Sequence, residues 1–449
     1  MDPVKRQNLM KLGAERLTDI LLDLSGRNDE IAELVERLAA TPEENIKRFK
    51  ARLAGLKRAK RFIHRRESYV FARQLEDMLA DLKAGTDDPS SGAELAARFF
   101  ECDQAVFERC DDSNGAVGDV FRFSARNLFV YFASIWSDKK KLTTRLLRLY
   151  AQDGYGVRYG LLEAAQQFLP EEHLRALIER FWENWETETG DKYRARHWLL
   201  GVESLAGQLK DAPLFEKARL AAWPELSTAA CLDIAQVYFD AGDNATALSW
   251  IERVPDGEVF QAYKRDNLLL AVYRELGDRA GMAETAWRVF RRNRSENTLE
   301  ELLAVIGKDQ REKVIGEETR AIQEKETLSY TDAGFLIQMG RGEEAEGYLL
   351  GRVNQLDGSL YNTLLPLAEA LEGMERWLAA SLLYRALLES ILQRAQSKYY
   401  HHGVRYLLRL DLLAGRIANW QEVVSHAGYK EGLLEAHGRK SSFWAKYQA

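Results

Sequence analysis

Cysteine is scarce in this chain of 449 residues. There are three, Cys102, Cys110 and Cys231, and neither their odd number nor their spacing frames a disulfide scaffold. The sequence therefore suits a reducing compartment, and the cytoplasm is the expected location. Proline is scarce too, eight in all, and several stand where a helix could start; this argues against a β-sandwich and for helices throughout. Long apolar runs are missing. No window of about 18 residues is free of charge, so no spanning helix is expected. The opening MDPVKRQNLMKLGAERL mixes charges with its first apolar residues and shows no signal-peptide core. A net charge of −6, from 63 basic and 69 acidic residues, gives no global signal for nucleic acid or membrane.

Catalytic signatures are absent as well. Gly154-Tyr155-Gly156-Val157-Arg158-Tyr159-Gly160 lacks the Lys-Ser/Thr ending of a phosphate-binding loop and has no strand before it. There is no Gly-x-Ser-x-Gly elbow and no His-Glu-x-x-His. The loop Cys110-Asp111-Asp112-Ser113-Asn114-Gly115 does not fit a calcium loop: with Gly115 at the sixth position, Cys110 and Phe121 fall where carboxylates are needed. It reads as a turn with an Asx-type cap. Four of seven histidines crowd the last 49 residues. His401 and His402 are adjacent and diverge on a helix, and Gly428 and Gly432 argue against one helix spanning His426 and His437. No enzyme, no cofactor and no metal is expected.

What the chain does have is helical spacing, almost without interruption. Leu12, Leu17, Ile20, Leu21 and Leu24 form one apolar face, and Ile31, Leu34, Val35 and Leu38 a second. Thr41-Pro42-Glu43-Glu44 is a capping box with proline at the first helical position. The loop-forming stretch Ala84 to Gly92 predicts the boundary of an N-terminal helical domain, 1–85. An irregular helical array follows over 93–225, in which Phe121 to Trp136 reads as a buried helix.

From 226 to 449 a repeat becomes legible. Gly242, Gly277, Gly307, Gly340, Gly373 and Gly415 recur at steps of 35, 30, 33, 33 and 42 residues, each between two helical stretches. Periods near 34 mark stacked helix–turn–helix units. Ala235, Tyr238, Gly242 and Ala247 fall at tetratricopeptide-type offsets, as do Leu270, Tyr273, Gly277 and Met282. The expected fold is all-α: a tetratricopeptide-like helical-repeat solenoid with an N-terminal helical domain and a C-terminal cap. Each glycine is expected to supply a left-handed turn. Trp250, Trp287 and Trp377 are expected to fill the space between repeats.

One local feature stands out. Residues 47–73 carry eleven lysines and arginines against one acid, Glu67, interleaved with Phe49, Phe62 and Tyr69. As a solvated helix the segment would pair with acidic neighbours inside the fold. As a surface, Lys57, Arg58, Lys60, Arg61, Arg65 and Arg66 would meet an anionic partner.

Several segments resemble a known group. They are Leu12 to Leu24 (LGAERLTDILLDL), Asp111 to Gly115 ahead of Gly118, Ala379 to Leu388, and Tyr399 to Leu407 followed by His437 and Arg439-Lys440. Together they resemble an uncharacterised bacterial helical-repeat family of unknown function. The C-terminal part is similar to the helical region that accompanies SWIM-type zinc fingers. The finger itself needs a Cys-x-Cys pair, and none exists here, so the resemblance implies an architecture without zinc. Stacked repeats commonly hold a protein or peptide. The expected function is a non-catalytic interaction scaffold for such a partner; the alternative is a nucleic-acid-associated or regulatory protein acting through 47–73.

Overall fold

The computed structural model describes residues 3–255 and 257–448, and helix follows helix along both stretches. Among the described residues there is no strand, only an isolated parallel bridge between Ile63 and Cys110. Local chemistry sets many of the helix starts. The Thr41 hydroxyl accepts from Glu44 N, and Glu44 Oε2 accepts from Thr41 N at 2.8 Å, so helix Pro42–Arg58 opens on the expected capping box. Asp88 accepts from Ser91 N at 2.9 Å and Pro89 takes the first turn of helix Pro89–Phe100. Val120–Ala125 is a π-helical stretch that runs into helix Arg126–Ile135, with Phe121, Phe129 and Phe132 buried. In the loop before it, Asp112 accepts from Val117 N and Gly118 N, both at 2.8 Å, which is an Asx-type cap.

Two compact units form, Met1–Asp256 and Gly257–Ala449. This differs from the three spans read in the sequence. Residues 86–88 do break the helices, but helices Ser68–Gly85 and Pro89–Phe100 bury side chains in the same core, which runs from Phe49 to Ala222. Loop composition there marks a tight turn inside a core, not its edge. In the second unit one apolar core runs from Ala286 to Trp444.

The repeat turn is the main structural device, and it differs from the glycine ladder. At Gly242, Gly277 and Gly340 the backbone is left-handed, with φ of 87°, 72° and 72°. The next amide reaches back five residues: Asp243 N to Tyr238 O, Asp278 N to Tyr273 O, and Arg341 N to Leu336 O, at 2.8 to 2.9 Å. This is a Schellman closure. Two further turns have the same left-handed residue and the same bond without glycine. They are Lys210 (φ 56°, Asp211 N to Ala206 O) and Glu375 (φ 59°, Arg376 N to Leu371 O). Gly373 ends a right-handed helix two residues before the Glu375 turn, and Gly415 is right-handed at φ −71°. Gly307, at φ 111°, enters a 3-10 turn instead. The repeated turn thus begins at Lys210, ahead of residue 226, inside the first unit.

At Lys210, Gly242 and Gly277 the following aspartate caps the next helix. Asp211, Asp243 and Asp278 accept from Leu214 N, Thr246 N and Gly281 N. The small repeat positions Ala235, Ala247, Ala333 and Ala345 are all fully buried. Trp250 is buried, while Trp287 and Trp377 are partly buried against the second core.

These conformations give two glycine substitutions opposite signs. Gly277→Ala places a side chain at positive φ and should destabilise the second unit by roughly 1–2 kcal/mol. Gly373→Ala meets no neighbouring atom within 4 Å and should be neutral or stabilising by up to about 1 kcal/mol. Urea denaturation of the two variants checks both; equal effects would contradict the assignment of the turns.

Candidate functional site

The basic segment divides into an inward and an outward half. Asp81, on helix Ser68–Gly85, is completely buried and gathers three arginines. Arg37 Nε donates to it at 2.9 Å, Arg48 Nε at 2.9 Å and Arg52 Nη1 at 3.4 Å. Outer carboxylates complete the cluster: Asp77 on Arg37 at 2.8 Å, Glu33 on Arg52 at 2.7 Å, and Glu36 on Arg48 at 3.5 Å. Burial works against the charge on Arg37 and on Arg52. The hydrogen bonds from Asp81 and Asp77 outweigh it at Arg37, as that from Glu33 does at Arg52, so both guanidinium groups hold their protons more tightly than usual. Arg48, Arg52 and Arg73, which pairs with Glu30, therefore serve the fold.

The outer half carries all six residues singled out in the sequence. Lys57 and Arg58 end helix Pro42–Arg58, while Lys60, Arg61, Arg65 and Arg66 stand on the connection to helix Ser68–Gly85; all six are exposed. They do not wind round a single helix, because the helix stops at Arg58. Arg61 pairs with Glu67. Among the described residues the other five form no ion pair. The loop is held in place by backbone. Ile63 N donates to Arg109 O at 2.8 Å, Asp111 N donates to Ile63 O at 2.9 Å, and the Ile63 side chain is buried. Phe62 is left 47 % exposed beside His64, their ring centroids 5.3 Å apart.

A residue outside the basic segment completes this surface. Arg109 lies over the Phe71 ring at 5.0 Å, and its Nη1 donates to Arg61 O at 3.4 Å. Its Nε is buried without a hydrogen-bond partner, and among the described residues no carboxylate pairs with it. Burial pushes its guanidinium down from the ordinary arginine range. Arg109 and Arg61 line a groove of about 480 Å³ whose floor includes Leu56, Phe71, Leu75 and Met78 and whose far wall carries Glu33 and Arg52. Nothing in the linear pattern points to Arg109: a lone arginine between Glu108 and Cys110 has no charge pattern, and the bridge at Ile63 brings it to Arg61.

His426 serves the fold. One helix, His426–His437, does span both residues, because Gly428 and Gly432 are accommodated within it. His426 Nε2 lies 2.7 Å from Asp411 Oδ1, and Asp411 also accepts from Lys430 Nζ at 2.9 Å and Tyr447 Oη at 2.6 Å. Among the described residues no three potential ligands gather as a metal site, and no helix is long and apolar enough to cross a membrane.

The chain matches the sequence model of one family twice, over residues 2–222 and 218–446. It belongs to that family, a family of unknown function (DUF6880). No curated protein matches the chain.

Two measurements test the charge arrangement. Asp81→Ala leaves three arginines around an empty position and should lower the stability of the first unit by about 3–5 kcal/mol. Limited proteolysis should then cut first between residues 14 and 40; unchanged cleavage would show that the cluster does not hold that segment. At Asp411 burial raises the carboxyl pKa, but the bonds from His426, Tyr447 and Lys430 prevail and lower it. A depressed carboxylate contributes stability above its unfolded pKa of about 3.9 that is lost as pH falls through the folded value. The fluorescence of Trp444 should therefore change in acid below about pH 4, and this change should be missing in Asp411→Asn.

Proposed function

Membership of a family of unknown function brings no activity with it, and we propose from the geometry that this protein is a non-catalytic interaction scaffold. It binds an acidic segment of a protein partner in the groove beside the basic loop. The observation that carries the reading is Arg109, a guanidinium half withdrawn from water with no carboxylate of its own. A carboxylate from a partner would supply the missing charge, and arginine's planar fork suits it. The apolar floor at Leu56, Phe71 and Met78 would take the partner's neighbouring side chains, while Lys57, Arg58, Lys60, Arg65 and Arg66 would steer an acidic chain toward it.

A protein partner is also favoured by the N-terminal hairpin. Ile20, Leu21 and Leu24 on helix Ala14–Ser25 and Leu34 on helix Asp29–Ala39 are each about 40 % exposed, apolar surface that a protein partner could cover. The tetratricopeptide-like character of the repeats and a cytoplasmic setting, with all three cysteines free and buried, accord with this role. The likeness to the helical region of SWIM-type proteins adds an architectural parallel and no zinc chemistry. A second reading is favoured by one observation, the exposed Phe62 ring beside Arg61, Arg65 and Arg66, which could stack a base of single-stranded nucleic acid.

A photo-crosslinking residue at position 62, activated in native lysate, separates the two. A protein adduct lost when Arg109→Ala is combined with charge reversal at Lys57, Arg58, Lys60 and Arg65 supports the scaffold. A nuclease-sensitive adduct supports the second reading, and that binding should fall steeply with salt. No adduct at all would overturn both.

A further inference from the structure

The second unit contains another arginine without a counter-ion, and it is more deeply placed. Arg385 lies on helix Trp377–Arg394 and is 6 % exposed. Its guanidinium is stacked between Trp420, 4.9 Å from the ring centroid, and Tyr429, at 4.4 Å. Nη1 donates to Val424 O at 2.8 Å. Nε and Nη2, the two donors along the opposite edge of the fork, are buried and have no partner. A buried charged donor left unmet is strongly unfavourable, and the stacked rings compensate it only in part. Burial accordingly weakens the hold of Arg385 on its proton.

The obvious internal partner is close and is not used. Glu389 stands one helical turn further on, at the spacing where arginine and glutamate commonly pair, but its side chain is hydrogen-bonded to Tyr429 instead. No ion pair joins the two. Both residues line one cavity of about 1140 Å³, whose walls include Asp357, Ser390 and Gln393. Among the described residues, the lining of this cavity therefore holds an arginine without a carboxylate next to a glutamate whose close partner is the uncharged Tyr429 hydroxyl, with polar groups beside them.

We propose that this cavity is a binding site for a small zwitterion of the amino-acid class. The free edge of Arg385 receives the carboxylate in a two-point contact, and Glu389 receives the ammonium. The aromatic pair fixes the guanidinium plane so that the fork is set before the ligand arrives. Three carboxylates in the wall, Glu389, Asp357 and Glu422, outnumber the one further cation there, Arg394, and so disfavour a dianion such as phosphate, whereas a ligand carrying its own positive charge is accommodated.

The test uses the full chain. The twenty L-amino acids, sodium acetate and sodium phosphate are added singly at equal ionic strength, and the thermal unfolding midpoint is followed. At least one amino acid should raise the midpoint saturably, by about 2–4 °C at tenfold excess over its dissociation constant. Acetate should give less and phosphate nothing. Arg385→Met fills the slot between Trp420 and Tyr429 without a charge; it should fold with an unliganded midpoint at or above that of the parent and lose the ligand shift. Arg385→Lys keeps the charge but not the fork and should weaken binding at least about tenfold. Glu389→Gln should reduce the response to the amino acid to that of acetate. No shift with any amino acid, a shift with phosphate alone, or an undiminished shift in Arg385→Met would each overturn the proposal.

Discussion

One backbone constraint recurs through this protein: a single left-handed residue followed by an amide that reaches back to the preceding helix. Among the described residues five turns share it, at Lys210, Gly242, Gly277, Gly340 and Glu375. The closure is made entirely by main-chain atoms, so it tolerates different side chains so long as the conformation is reached. Where it is followed by aspartate, the side chain also begins the next helix. Buried alanines around these turns let the paired helices come close, and the helical array follows from repetition.

Charge works on a different plan. Inside the fold, carboxylates and arginines are matched with care: Asp81 collects three arginines, and Glu318 and Asp332 are buried against Arg294, with Lys325 also reaching Asp332. Against that background, several of the described arginines lack a carboxylate, Arg126 and Arg352 among them. Arg109 and Arg385 are each stacked on aromatic rings, short of hydrogen-bond partners and set at the edge of a groove or cavity. The two proposed sites rest on that contrast.

Helical periodicity and capping chemistry were legible in the sequence because they are local. Thr41-Pro42-Glu43-Glu44 opens its helix as read, and the Asp112 loop is the cap it resembles. The glycine ladder was only partly informative, since φ above zero favours glycine without requiring it. Lys210 and Glu375 make the same turn with ordinary side chains, while Gly373 and Gly415 do not make it at all. The site was harder to read for a related reason. The run of cations at 47–73 was visible, but its division into Arg48 and Arg52 facing Asp81 and Lys57 to Arg66 facing solvent depends on a carboxylate some thirty residues away. Arg109 and Arg385 stand out only through the partners they lack, which no linear pattern records.

The Asp81 cluster also sets how the front of the chain is attached. Helices Ala14–Ser25 and Asp29–Ala39 bury no residue, and Glu30, Glu33, Glu36 and Arg37 all form ion pairs with the helices behind them. The core that starts at Phe49 is cemented by oil; helix Asp29–Ala39 is pinned by electricity. The two joints answer to different solvents. Salt and acid act on the pinned joint, whereas urea acts broadly on the cemented one.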